Sequence, residues 1–215
     1  MKDYTFKQWN KYPKELDKSV LERIPIRNNF DTRYFNDKYQ ALPKNGYTYF
    51  FEQLIKNPLI TIKLNTNFSD INRDEFEKIF YTGPIDQYFG EIYGKLEYRS
   101  IDFKEEIHDM NYYQPNSVVN YPEKKYEFTR IVEYKHFLNQ KSDKTVIHYE
   151  TTNDSGEPFY PVPNEKNLKL YEKYKDLSLK EKDIYFLGRL ASYKYFNMDQ
   201  AIKNSLDFFN TLKEI

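Results

Sequence analysis

KLEYRSIDFKE, residues 95–105, is the stretch on which the fold turns. Leu96, Tyr98, Ser100 and Asp102 alternate with Glu97, Arg99, Ile101 and Phe103, the period of two expected of an extended strand. Working outward, similar text occurs at 59–64, at 77–81 (closed by the turn signal Thr82-Gly83-Pro84), at 117–121, at 129–137 and at 146–150. No crossover helix separates the later segments, so an antiparallel sheet of about six strands is expected. Helices are expected on its flanks: over 13–24, between Pro13 and Pro25, over 47–57 after Gly46, and over 164–180. The turn-rich stretch 151–163 reads as a linker, 184–187 as a short apolar strand, and Asn197 as the N-cap of a last helix with an apolar stripe at Met198, Ile202, Leu206, Phe209 and Leu212. The class is α+β. Three parts are expected: a helical segment with a mobile loop over 1–57, the sheet domain over 58–163, and C-terminal helices over 164–215.

Composition narrows the function. Lys plus Arg and Asp plus Glu balance at 33 each, which leaves no electrostatic footprint for nucleic acid or an anionic membrane. There is no cysteine, hence no disulfide, thiolate metal site or cysteine nucleophile. The first residues, MKDYTFKQWN, lack the apolar core of a signal peptide, and no run is long enough to span a bilayer, so a cytoplasmic location is expected. The six glycines never take the spacing of a dinucleotide or Walker loop. His108, His136 and His148 form no short metal-ligand pair, although the last two could meet across neighbouring strands. No GxSxG elbow is present, and carboxylate pairs such as Glu105-Glu106 read as solvated faces.

Six clusters mix tyrosine, arginine and turn residues: YTFKQW (4–9); RIPIR (23–27) with DTRYFNDKYQ (31–40); YTGPID (81–86) with LEYRS (96–100); NYP (120–122) with FTRIVEYKHF (128–137); EPFYPV (157–162); and GRLASYKYFNMD (188–199). With 26 lysines against seven arginines, a retained arginine is a candidate for work that needs its planar fork. Such a set suits a nucleotide-sugar diphosphate. The base wants a flat aromatic partner, the diphosphate wants guanidinium forks, and phenol hydroxyls add donors without charge.

In order and spacing these clusters resemble the bacterial UDP-galactopyranose mutases. The likeness runs through the whole chain yet accounts for only a little over half of a typical member. The resemblance implies interconversion of UDP-galactopyranose and UDP-galactofuranose, for galactofuranose-containing surface polysaccharides, on a reduced FAD whose N5 carries the chemistry, so no protein nucleophile is needed. It places Tyr4 and Trp9 beside the nucleotide and sugar, Arg23 on a loop that closes over the diphosphate, and Tyr34 near the uridine. It makes Arg130 a second diphosphate arginine and Tyr160 and Tyr195 phosphate donors. Arg99, Arg189, Asn197 and Met198 fall near the flavin. It also implies an N-terminal Rossmann-like part, outside these 215 residues, that holds most of the FAD and onto which the last strand and helix would pack, and a possible homodimer. The family pattern has Asp where this chain has Asn197. A non-catalytic UDP-sugar or carbohydrate-binding module, or an inert gene remnant, is the alternative expectation.

Overall fold

The computed structural model describes residues 2–20, 22, 26–31, 33 and 35–212. Its centre is β2 (Tyr98–His108), which takes in the 95–105 alternation from Tyr98 onward, leaving Leu96 and Glu97 before the strand. Around it lies a five-stranded antiparallel sheet in the order β3 (Val118–Asn120), β4 (Arg130–Glu133), β5 (Thr145–Asn153), β2, β6 (Tyr160–Pro161). β2 and β5 pair from Ser100 opposite Asn153 to His108 opposite Thr145. The α+β class and the antiparallel sheet stand as expected.

Several local expectations give way to tertiary context. Residues 13–24 do not form one helix; Pro13–Glu15 and Lys18–Val20 are separate 3₁₀ turns. The β-branched run 59–64 is irregular and exposed. Alternation alone cannot hold a strand that has no ladder partner. The segment at 77–81 yields β1 (Ile79–Tyr81), which leaves the antiparallel sheet and pairs in parallel with β7 (Ile184–Phe186). The strand expected over 129–137 stops at Glu133 and turns as a 3₁₀ element, Tyr134–His136. The linker expected over 151–163 instead lengthens β5 to Asn153 and supplies β6. The two histidines do not meet: His136 bonds Glu133 at 3.0 Å, while His148 lies 3.1 Å from Glu105.

The helices are α1 (Lys2–Trp9), α2 (Gly46–Leu54), α3 (Ile85–Tyr88), α4 (Glu165–Ser178), α5 (Gly188–Ala191) and α6 (Met198–Leu212). Asn164 caps α4, its side chain accepting from the Asn167 N–H at 2.9 Å. One core gathers Ile85, Leu96, Tyr174 and Tyr193; a second gathers Trp9, Leu16 and Val162 against Tyr160 and Tyr195.

Two of the quoted motifs act in the fold. In YTGPID, Asp86 is buried and accepts from the Leu96 N–H at 2.9 Å and the Tyr98 hydroxyl at 3.2 Å. In GRLASYKY, α5 ends as a Schellman motif: the Tyr193 N–H reaches Leu190 O at 3.2 Å and the Lys194 N–H reaches Arg189 O at 3.0 Å. Tyr193 fills the left-handed position that usually belongs to glycine, with φ 46°. Burial of its ring, and a hydroxyl that donates to Glu97 O at 2.6 Å and accepts from the Val162 N–H at 3.2 Å, offset a backbone cost of about 1–3 kcal/mol. The reversal sends Tyr195 back against Tyr160.

Candidate functional site

α1 brings Tyr4 and Trp9 to the sheet. An eight-residue helix is marginal by itself, so its placement comes from tertiary contacts. Arg99, only 4% exposed, donates from Nε to Gln8 O at 3.1 Å and from Nη2 to Lys7 O at 3.4 Å, capping the negative end of α1 from a neighbouring strand. The Thr152 hydroxyl donates to the same Lys7 carbonyl at 2.5 Å, and Asp154 pairs with Arg99 while accepting from Asn10 at 2.8 Å.

Trp9, 8% exposed, meets Tyr160 at 6.2 Å and Tyr195 at 5.7 Å between ring centroids. Tyr160 and Tyr195 stack on each other at 5.2 Å and 18°. Arg189 closes this wall, its Cζ 5.3 Å from the Tyr160 ring and 4.9 Å from the Tyr195 ring. Its guanidinium donates to Phe159 O at 3.1 Å and, from Nε at 3.1 Å and also from Nη2, to Phe196 O. No carboxylate of the described residues pairs with Arg189. Neutral oxygens and π faces hold a cation in place without neutralising it, which leaves its charge available to an anion.

Arg130 stands at the other side on β4. Its Nε donates to Glu150 at 2.5 Å, and the Tyr4 and Tyr160 phenols lie near enough to act on its charge. Burial works to lower its pKa, but the Glu150 carboxylate outweighs that and the guanidinium is held more firmly protonated than usual. Arg130 and Glu150 are register partners across β4 and β5, which fixes the pair before any ligand arrives.

Arg189, Asn197 and Met198 also line a cleft of about 860 Å³, together with Asp37, Tyr39 and Phe137. Thus Tyr4, Trp9, Arg130, Tyr160, Tyr195 and Arg189 come together, with Asn197 and Met198 on the adjoining cleft. Arg99 is placed differently, turned inward onto α1. Arg23 and Tyr34 lie outside the described residues. Arg27 donates to Phe35 O at 3.1 Å and Asn36 Oδ1 at 2.7 Å. The sequence reading did not pick out α1 as a helix or Glu150 as the partner of Arg130. The i, i+4 spacing of Thr5 and Trp9, the two residues the helix buries, could have hinted at the first; nothing short of the strand register could reveal the second. Among the described residues no group of three His, Asp or Glu could hold a metal, and no helix is long and apolar enough to cross a membrane.

The family model for UDP-galactopyranose mutase matches residues 1–195. The chain belongs to this family. It is 39% identical over 209 residues to a probable UDP-galactopyranose mutase of Klebsiella pneumoniae, a match covering 95% of this chain and 54% of that protein. It is 37% identical over 225 residues to the UDP-galactopyranose mutase of Mycoplasma genitalium, covering 95% and 55%. A dTDP-fucopyranose mutase of Escherichia coli is 33% identical over 214 residues, covering 95% and 57%. The chain therefore spans a little over half the length of these relatives. A crystal structure of reduced UDP-galactopyranose mutase shares the fold, with TM-score 0.55 over 65% of this chain and 41% of that one at 14% identity.

Proposed function

We propose that this chain is the nucleotide-sugar-holding portion of a UDP-galactopyranose mutase, which interconverts UDP-galactopyranose and UDP-galactofuranose. The observation that carries this reading is the single wall formed by Tyr4, Trp9, Tyr160, Tyr195, Arg189 and Arg130. Arg130, pre-set by Glu150, and the two stacked phenols supply a guanidinium and neutral donors for a diphosphate. Trp9 and Tyr4 supply apolar faces for the sugar and nucleotide. Tyr34 and Arg23 would complete the uridine end and the closing loop.

The residues present fit one edge of a flavin. Arg189, with which no carboxylate of the described residues pairs, can meet a phosphate or an electron-rich ring edge, and Asn197 and Met198 line the same cleft. The glycine spacing of a dinucleotide cradle is not among these 215 residues. Reduced FAD, when bound, would supply the nucleophilic nitrogen for the sugar, and most of its contacts would come from an N-terminal α/β portion of the family. The role of this chain is to bind, orient and shield the sugar nucleotide.

Trp9 is the only tryptophan, so its fluorescence reports ligand at the wall. UDP titrated into the chain is expected to quench it saturably, with Arg130→Met weakening binding by about tenfold or more. Interconversion of the two sugars under reducing conditions is expected only after an N-terminal family portion and FAD are added. Absence of UDP binding in that assembly would refute the reading. A tighter response to dTDP than to UDP would move the substrate toward that of the Escherichia coli relative.

A further inference from the structure

Lys7 has no place in the wall just described, yet its ammonium is unusually committed. Nζ donates to three backbone carbonyls of one loop: Tyr121 O at 2.7 Å, Phe128 O at 2.5 Å and Glu123 O at 3.3 Å. A lysine has three donors, and all three are used. The loop 121–128 leads directly into β4, so the bonded carbonyl of Phe128 is two residues from Arg130. The main chain of Lys7 is held as well: its carbonyl accepts from Thr152 at 2.5 Å and Arg99 at 3.4 Å. Burial lowers the pKa of Lys7, consistent with an ammonium withdrawn from water. Within the loop, Tyr126 and Phe128 pack edge to face on Tyr121 at 5.0 and 4.9 Å, which stiffens the segment that offers the carbonyls.

Lys7 lies on α1 between Tyr4 and Trp9, three residues after the first and two before the second. α1 buries only Thr5 and Trp9, too little to fix its distance from the sheet by packing. We infer that Lys7 is a positioning residue: its ammonium, gripping the 121–128 carbonyls, sets the separation between the aromatic groups on α1 and the diphosphate-facing Arg130 on β4. This rests on the reading of the wall as a sugar-nucleotide site. An ammonium is suited to the task because three carbonyl oxygens can converge on one compact charge; the planar fork of arginine cannot meet them at a point.

Lys7→Met and Lys7→Arg in the full chain test this against Lys124→Met, whose lysine approaches Asp3 on α1 only at 3.9 Å and in solvent. Two readouts separate positioning from general stability. In the first, acrylamide quenching of Trp9 is compared at matched, fully folded circular dichroism. It is expected to rise in Lys7→Met, to rise less in Lys7→Arg, and to stay unchanged in Lys124→Met. In the second, UDP, which touches both sides of the wall, is compared with inorganic pyrophosphate, which touches only the arginine side. Lys7→Met is expected to lose about tenfold or more for UDP and much less for pyrophosphate, because a small misplacement is costly only to a ligand that bridges both parts. Unchanged Trp9 quenching in both Lys7 variants overturns the inference even where UDP binds normally, and so does an equal loss for the two ligands. If neither the parent chain nor its assembly with the N-terminal portion binds UDP, the functional reading fails while the Trp9 arm still decides the clamp. If Lys7→Met does not fold, Lys7→Arg carries both comparisons.

Discussion

Glu133 shows how a single residue is kept charged in the interior. It is 0% exposed and accepts from the Tyr113 and Gln114 N–H groups at 3.0 Å each, the Thr145 hydroxyl at 2.5 Å and His136 Nε2 at 3.0 Å. Burial pushes its carboxyl up, but these four donors outweigh burial and hold it below the usual glutamate value. A depressed folded-state pKa contributes stability that is fully present above the unfolded value, about 4.3, and is lost as pH falls through the folded value. Acid unfolding followed by circular dichroism should therefore lose part of its pH dependence below about pH 4 in Glu133→Gln. The same variant, which turns an acceptor into a donor facing other donors, is expected to cost about 1–3 kcal/mol at neutral pH by urea denaturation. A midpoint unmoved in both respects would remove Glu133 from this role. No sequence pattern marks Glu133, since it sits one residue from the exposed Tyr134 and resembles any strand-end carboxylate. Arg130 is different: FTRIVE marked it as a candidate, while its partner Glu150 emerged only from register.

At the scale of elements, α6 begins as its text indicates. The Asn197 carbonyl accepts from the Ala201 N–H at 2.9 Å, and the Gln200 side chain reaches back to the Asn197 N–H at 2.8 Å. The second bond is one half of a capping box, at a helix N-terminus where Asn and Asp are about equally good. Asn197→Asp is accordingly expected to change thermal stability by no more than about 0.5 kcal/mol. In a flavin-loaded assembly it would add a negative charge on the cleft that Arg189 lines, so turnover is the property expected to move. A shift in melting of several degrees with unchanged turnover would contradict both halves of this expectation. Helices with caps were readable because capping is local. The 13–24 segment misled for the complementary reason. Its prolines mark boundaries, but Asp17 turns its N–H to Pro163 O at 2.8 Å, a contact 146 residues away in sequence that breaks the run into two turns.

Over the whole molecule, apolar groups are distributed unevenly. Met198, Ile202, Leu206 and Phe209 of the α6 stripe are exposed, Leu206 at 58%, and α2 buries no residue at all. The parallel pair β1–β7 has only two strands, and the alternating run 59–64 has none to join. These features suit a chain whose α6 side packs on the N-terminal α/β portion proposed above. Leu206→Glu is expected to leave the midpoint of this chain within about 0.5 kcal/mol, since the side chain is already in water. It should nevertheless prevent co-purification with an added N-terminal family portion. Retained association, with the parent chain associating equally, would place the docking face elsewhere.

The antiparallel class, the span of α4, the start of α6 and the clustering of aromatic and arginine residues were legible in the sequence, because alternation, capping and clustering are written in near neighbours. Tertiary structure alone decided that β1 and β7 would run in parallel, that Arg99 would turn inward to cap α1, that Glu150 would hold Arg130, and that Lys7 would bind α1 to the loop before β4. Each of those depends on which distant backbone oxygen or carboxylate arrives within about 3 Å, and hydrogen-bond energy is too short-ranged to leave a trace in the local pattern of residues.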